Sequence, residues 1–181
     1  MIYLIDGRSG AGKTTYASTL GLEVIHLDDF YPGWSGLAEA SRMVARDVLD
    51  PIHPGFWRWD WDNNCRKEWV ALPHRTDFVI EGVGAITEEN IHAAYHYSQH
   101  HADQLRDVTQ HPGTAALSAS ELSAHCRLIV LELDADERKR RALRRDPDYA
   151  EYWHMWAAQE DIHMATVGKL ATRYPIEFLS T

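Results

Sequence analysis

The fold is decided near the start of the chain, by the stretch IYLIDGRSGAGKTTYASTL at residues 2–20. Residues 2–5 are a short apolar run that leads to a glycine, and such a run predicts a buried β-strand. Residues 14–20 are predicted to form a helix that ends near Gly21. The stretch therefore predicts a strand, a glycine-rich turn and a helix in direct succession.

The same alternation of strand and helix continues along the chain. Further strands are predicted at residues 24–27, 78–80, 127–133 and 176–179, and further helices at 37–49, 136–145 and 149–172. Strands that are continuous apolar runs are typical of a parallel sheet covered by helices on both faces. We expect one three-layer α/β domain over residues 1–181, with a five-stranded parallel sheet. Residues 50–75 and 99–123 show no regular pattern, and the second segment is predicted to be an insertion or a mobile loop.

Residues 7–14 have the sequence GRSGAGKT, which matches the phosphate-binding P-loop pattern at every fixed position. Its glycines let the backbone curl so that successive N–H groups point at the phosphates of a nucleotide. Lys13 adds a positive charge, and the hydroxyl of Thr14 can bind Mg²⁺. The residues predicted to bind ATP in this segment are Gly7, Ser9, Gly10, Ala11, Gly12, Lys13, Thr14 and Thr15.

The class of P-loop protein is narrowed by motifs that the sequence does not contain. Neither Asn-Lys-x-Asp nor Thr-Lys-x-Asp occurs, and no Asp-x-x-Gly follows the third predicted strand, which argues against a GTPase switch. The Ser-Gly-Gly signature of transporter ATPases is missing, and the chain is short for a ring-forming motor. A compact phosphotransferase remains.

Two segments resemble the uridine kinase-like branch of the nucleoside and nucleotide kinase superfamily. HLDDFYP at residues 26–32 is similar to the family segment whose aspartate takes the proton from the acceptor hydroxyl, and Asp28 is the matching residue. FVIEG at residues 78–82 resembles the third strand of the family, which implies that Glu81 orients Mg²⁺. The alternatives are a solvated cap formed by Asp28 and Asp29, and a strand-end glutamate facing solvent.

The basic segment DERKRRALRRD at residues 136–146 follows the fourth predicted strand, where the family has its arginine-rich lid. The resemblance implies a short lid over about residues 136–150 that closes on the phosphates. Arginine suits this role because its planar guanidinium binds phosphate oxygens in pairs. Arg141 and Arg145 are the predicted catalytic clamp, and Arg144 is a further predicted nucleotide contact. A solvated basic helix face paired with acids is the alternative.

An aromatic segment, FWRWDWD at residues 56–62, falls where the family builds its acceptor site. In an extended conformation its three tryptophans would share one face of the strand, with the charged side chains on the other. Aromatic faces can stack on a base or sugar, and charged side chains can hydrogen-bond to hydroxyl groups. The residues predicted to contact the acceptor are Asp28, Tyr31, Arg58, Asp60 and Trp61. A tryptophan stripe packed in the core is the alternative.

Four residues of the last predicted helix, Trp153, Trp156, Glu160 and His163, lie at helical spacing. A cofactor site can be imagined there, but core packing with a satisfied polar pair is the favoured interpretation.

Composition limits the partners that the chain can have. The net charge of −9 argues against broad nucleic-acid binding, and no apolar run approaches the roughly 18 residues that a membrane span requires. We expect a cytoplasmic monomer or homodimer that contacts neither nucleic acid nor membrane. The expected activity is transfer of the γ-phosphoryl group of Mg-ATP to a hydroxyl of a nucleoside. The alternatives are another small acceptor, such as a sugar acid, a nucleotide or a vitamin precursor, or a non-catalytic ATP-binding regulator.

Overall fold

The computed structural model describes residues 1–103 and 118–181. Its main sheet contains β1 (Ile2–Asp6), β2 (Val24–His26), β5 (Phe78–Glu81), β6 (Cys126–Glu132) and β7 (Ile176–Ser180). The strand order is β2-β5-β1-β6-β7, and every pairing in this sheet is parallel. The α/β class and the five-stranded parallel sheet predicted from the sequence are therefore confirmed.

The helices within the described ranges are α1 (Lys13–Thr19), α2 (Leu37–Met43), α3 (Glu88–Asp103), α4 (Ala119–His125), α5 (Ala135–Arg145) and α6 (Trp153–Leu170). A π-helical turn at Val44–Val48 continues α2, and short 3-10 turns occupy Leu27–Asp29 and Pro147–Glu151. The helix predicted at 149–172 is thus divided, because Asp146 caps a separate turn that begins at Pro147. The basic helix predicted at 136–145 is α5.

A separate antiparallel hairpin is formed by β3 (Gly55–Asp60) and β4 (Cys65–Ala71). The prediction that residues 50–75 are irregular is therefore wrong. The sequence did not indicate the hairpin, because β4 is exposed along nearly its whole length and has no apolar pattern. Of the insertion predicted at 99–123, residues 99–103 belong to α3 and 119–123 belong to α4. Residues 104–117 lie outside the described residues.

Side chains that alternate along the strands pack into two separate cores. Leu4, Ile80 and Leu128 belong to the larger core, together with residues from α2, α3, α4 and α6. Ile5 and Val79 belong to the smaller core on the opposite face, which contains residues of α1. Helices therefore lie on both faces of the sheet, which gives a three-layer arrangement.

The sheet register brings three strand ends into one row. Ile5 of β1 pairs with Glu81 of β5, and Glu81 also pairs with His26 of β2. Parallel strands present their carboxyl ends at the same edge of a sheet, where ligands bind in folds of this class. The glycine-rich loop, Glu81 and the turn that carries Asp28 consequently share one edge, as the sequence predicted. In the described part of the chain, no helix has the length and apolarity needed to cross a bilayer.

Candidate active site

The glycine-rich loop at residues 7–12 connects β1 to α1. Gly10 has a φ of +80° and Gly12 a φ of +91°, backbone angles that other residues adopt only with strain. A Cβ on Gly10 would lie 2.2 Å from the main-chain oxygen of Arg138, in the first turn of α5. Glycine at position 10 is therefore required twice, by its backbone angle and by the close approach of α5.

Lys13 and Thr14 present a cation and a hydroxyl at the end of this loop. The Lys13 ammonium donates to the main-chain carbonyl of Arg8 at 3.2 Å, which folds the lysine back over the loop. The Thr14 hydroxyl donates to Oε1 of Glu81 at 2.8 Å. Because its proton points at Glu81, the lone pairs of the Thr14 oxygen stay available to a cation. The two residues predicted to organise a metal are thus in direct contact.

Glu81 is a buried carboxylate that is held in its ionised form. Its Oε1 atom also contacts Nδ1 of His26 at 2.6 Å. Burial by itself raises the pKa of Glu81, but the hydrogen bond from His26, the charge of Lys13 and the hydrogen bond from Thr14 together lower it. The same hydrogen bond to Glu81 raises the pKa of His26. Glu81 therefore supplies negative charge directly beside the Thr14 hydroxyl, and the alternative that it faces solvent is wrong.

Asp28 lies in the 3-10 turn that follows β2. Its side chain is accessible to solvent, yet protein atoms surround the carboxyl group and this desolvation raises its pKa. The positive charge of Lys13 opposes the rise, the negative charge of Glu81 adds to it, and Arg145 acts like Lys13. A carboxylate with a raised pKa at the mouth of a site has the properties of a general base.

The arginines of α5 differ in what they contact. Arg141 donates from Nε to Oε1 of Glu137 at 2.7 Å, within its own helix. Arg144 is exposed in the last turn of α5. The charge of Arg145 acts on Asp28, so this is the arginine of the three that the structure brings toward the candidate base. Of the two arginines predicted to act in catalysis, the structure therefore brings Arg145 to the site, whereas Arg141 is bonded to Glu137.

The hairpin reaches the site through Trp61, which lies in the turn after β3. The Trp61 indole N–H donates to the main-chain carbonyl of Asp28 at 3.0 Å. Its ring centroid lies 5.0 Å from that of Trp34, which in turn stacks on Tyr149 at 5.2 Å and on Tyr152 at 4.3 Å. We call these four rings the aromatic wall. It runs from the turn that carries Asp28 to the elements that follow α5.

The other residues predicted to bind the acceptor make contacts within the protein. Tyr31 is fully buried, and its hydroxyl donates to the carbonyl of Val83 at 2.8 Å. Arg58 pairs with Glu68 of the same hairpin at 3.1 Å. Asp60 accepts hydrogen bonds from the main chain and the side chain of Asn63, both at 3.0 Å. Of these residues Trp61 is hydrogen-bonded to Asp28, and the buried Tyr31 lies close enough for the charge of Asp28 to raise its pKa, whereas the contacts of Arg58 and Asp60 lie within the hairpin.

A buried pair that the sequence did not reveal supports the beginning of the loop. The carboxylate of Asp6 accepts the N–H groups of Gly7 and Ile86, both at 2.7 Å, and contacts Nε2 of His163 at 2.8 Å. Burial raises the pKa of Asp6, but the charge and the hydrogen bond of His163 outweigh burial and lower it. Burial lowers the pKa of His163, and Asp6 reverses that shift and raises it. Each of the two groups therefore favours the charged form of the other.

Ser9, in the middle of the loop, is held on all its polar groups. Its N–H donates to Oε1 of Glu160 at 2.7 Å, its carbonyl accepts from Nη1 of Arg138 at 3.3 Å, and its hydroxyl oxygen accepts from Tyr149 at 3.0 Å. Glu160 and His163 were predicted to be a satisfied polar pair in the core, and both are buried. Their partners lie across the domain, at Ser9 and Asp6. In the sequence, the spacing of Glu160 and His163 indicates that they share one face of α6, but it does not indicate which residues they contact.

None of the protein-family models, curated proteins or solved structures with which the chain was compared matches it. Its function is therefore inferred from its own residues. Among the described residues, no three His, Cys, Asp or Glu side chains are grouped closely enough to hold a metal ion by themselves.

Proposed function

We propose that this chain is a P-loop phosphotransferase of the uridine kinase-like type, which moves the γ-phosphoryl group of Mg-ATP to a hydroxyl of a small molecule. A nucleoside is the acceptor that we favour. The observation that carries the proposal is the meeting of three features at one edge of the sheet. These are the glycine-rich loop with Lys13, the hydrogen-bonded pair of Thr14 and Glu81, and the accessible carboxylate of Asp28 within reach of the Lys13 charge.

The donor would bind along the loop between β1 and α1. Main-chain N–H groups of Gly10 and residues 12–15 and the Lys13 ammonium would contact the phosphates, whereas the Ala11 N–H donates to the Arg8 carbonyl at 3.1 Å within the loop. The left-handed angles at Gly10 and Gly12 support such a curled backbone. Arg145 adds a second cation whose charge acts on Asp28, and it would stabilise negative charge that spreads during transfer. Arg141 would have to leave Glu137 to contribute, and Arg144 is free in the last turn to approach the phosphates.

The donor set at Thr14 and Glu81 fits Mg²⁺. This ion prefers oxygen ligands, and in nucleotide sites it keeps several waters and phosphate oxygens, so one or two protein groups suffice to hold it. The Thr14 oxygen would be the direct ligand, and the ionised Glu81 would orient the hydroxyl or a bound water. When bound, Mg²⁺ would neutralise charge on the transferring phosphoryl group.

Asp28 would accept the proton of the acceptor hydroxyl. Its raised pKa makes it a stronger base than an ordinary aspartate, and the charges of Lys13 and Arg145 oppose the rise. The partly exposed ring of Trp61, at the end of the aromatic wall that touches the Asp28 carbonyl, would supply an apolar face for a nucleobase. Contacts from Arg58 and Asp60 would require the hairpin to rearrange, since both are bonded within it.

The test is ADP release from Mg-ATP by the purified protein with a panel of nucleosides, nucleotides, sugars and sugar acids. One acceptor is expected to stimulate release. Asp28→Asn is expected to lower that rate by about 100-fold or more while leaving ATP affinity within a few-fold. Asp29→Asn is the matched control, since it removes the same charge from the neighbouring residue of the same turn. Full activity of Asp28→Asn would remove Asp28 from the mechanism. Tight ATP binding with no stimulation by any acceptor would favour the non-catalytic regulator.

A further inference from the structure

Three side chains from successive elements surround Ser9. Arg138 lies in the first turn of α5, Tyr149 in the 3-10 turn that follows α5, and Glu160 on α6. They contact the carbonyl, the hydroxyl and the N–H of Ser9, respectively. Ser9 is therefore held by three side chains that are spread over residues 138–160.

These contacts are sheltered from water. The side chain of Glu160 is 1% exposed and that of Arg138 is 11% exposed, and the two charged groups lie 3.9 Å apart. Hydrogen bonds that involve charged groups are stronger than neutral ones, and a low-dielectric surrounding strengthens them further.

We propose that Arg138, Tyr149 and Glu160 form a positioning clamp that fixes Ser9, and through it the loop amides, in the conformation that binds phosphate. This inference rests on the proposed function. Ser9 directly precedes Gly10, where glycine would otherwise leave the backbone free to adopt many conformations. Binding to a loop that is already fixed avoids the loss of that freedom when the nucleotide arrives.

The clamp also links the loop to the arginines of α5. Arg138 and Arg145 are two helical turns apart, so both lie on the same face of α5. Because Arg138 is tied to Ser9 and Arg145 acts on Asp28, a shift of α5 away from the loop would also remove Arg145 from the candidate base. Loosening the clamp is therefore expected to weaken nucleotide binding and to slow phosphoryl transfer.

A double-mutant cycle on one hydrogen bond tests the clamp. Tyr149→Phe removes the donor and Ser9→Ala removes the acceptor of the same contact. Each is expected to weaken the binding of Mg-ADP, measured by calorimetry, by about two- to tenfold. The double variant is expected to bind no more than about twofold weaker than the weaker single variant, because each change breaks the same bond.

Tyr174→Phe is the matched control for a purely structural effect. The Tyr174 hydroxyl contacts Glu88 and His92, two residues of α3, so its removal also deletes a hydrogen bond. It is expected to lower the melting temperature as Tyr149→Phe does, while Mg-ADP affinity stays as in the wild type.

A second variant, Glu160→Gln, keeps an acceptor for the Ser9 N–H but removes the charge beside Arg138. It is expected to lower kcat more than it raises the KM for ATP.

The outcomes separate the two proposals. If the wild-type protein binds Mg-ADP and both Tyr149→Phe and Ser9→Ala bind it equally well, the clamp is overturned and the proposed function stands. If Tyr149→Phe and Tyr174→Phe lower the melting temperature equally and neither changes the affinity for Mg-ADP, the Tyr149 contact is purely structural and the clamp is likewise overturned. If the wild-type protein itself does not bind Mg-ADP, both proposals are overturned.

Discussion

Replacing His163 with alanine would leave the carboxylate of Asp6 buried without its cation. Asp6 is completely buried, and His163 is the positive group with which it is paired. Removing one partner of a buried ion pair costs about 3–5 kcal/mol. Asp6 would keep the N–H groups of Gly7, Gly84 and Ile86, which favours the lower end of that range. For a chain of this size, about 3 kcal/mol corresponds to a fall of about 6–12 °C in melting temperature.

The loss of unfolding free energy caused by His163→Ala should depend on pH. Folding raises the pKa of His163, so its contribution is complete below the unfolded value of about 6.5 and is lost as the pH rises through the folded pKa. Folding lowers the pKa of Asp6, so its contribution is present above about pH 3.9 and is lost as the pH falls through the folded pKa. The pair is therefore expected to stabilise the fold most between about pH 4 and 6.5.

Urea unfolding of the wild type and of His163→Ala at a series of pH values measures this dependence. The difference in unfolding free energy between the two proteins should be largest near pH 6 and should shrink toward pH 9. His154→Ala is the matched control, because His154 is exposed on the same helix, and it should change stability by about 0.5 kcal/mol at most. A loss below about 1 kcal/mol for His163→Ala, or a loss that stays constant across this pH range, would refute the ion-pair reasoning.

Further predictions concern the proposed active site at the edge of the sheet. Because desolvation raises the pKa of Asp28, the acidic limb of the kcat/KM profile should lie above the ordinary aspartate value of about 3.9, and Asp28→Asn should abolish that limb. Glu81→Gln should raise the Mg²⁺ concentration that gives half-maximal ADP release by about tenfold, since the Thr14 hydroxyl loses its charged partner; an unchanged Mg²⁺ requirement would contradict this role. Trp61→Ala should raise the KM for the acceptor while the calorimetric affinity for Mg-ADP stays constant, whereas Trp57→Ala on the exposed part of the hairpin should change neither.

The main sheet was predictable because its signals are local. Each of the five parallel strands coincides with a short, mainly apolar run, and the order of these runs along the chain already indicated an α/β sheet. The register that joins Ile5, Glu81 and His26 then follows from the parallel arrangement. The meeting of Glu81 with the loop was therefore accessible from the sequence.

The residues that hold the loop were not predictable in the same way. Glu160 and His163 carry a visible helical spacing, but their partners are separated from them by 151 and 157 residues. Spacing within a helix identifies a shared face and says nothing about what packs against it. Arg138 is one of several similar basic residues on α5, and the contact of its main chain with Gly10 has no signature in the sequence. Such contacts arise only from tertiary packing.

Ser9 and its partner Glu160 are far apart in sequence, and this affects the order in which the chain folds during synthesis. The motif GRSGAGKT is synthesised before the partner of the Ser9 N–H, which is 151 residues further along the chain. β1 also needs β6 as a neighbour before the sheet is continuous around it. Contacts between residues so distant in sequence form late, because long segments of chain must be brought together first. A nascent chain that ends before α6 would therefore carry the complete motif without a fixed loop, and the proposed nucleotide binding would require α6 to have packed against the loop first.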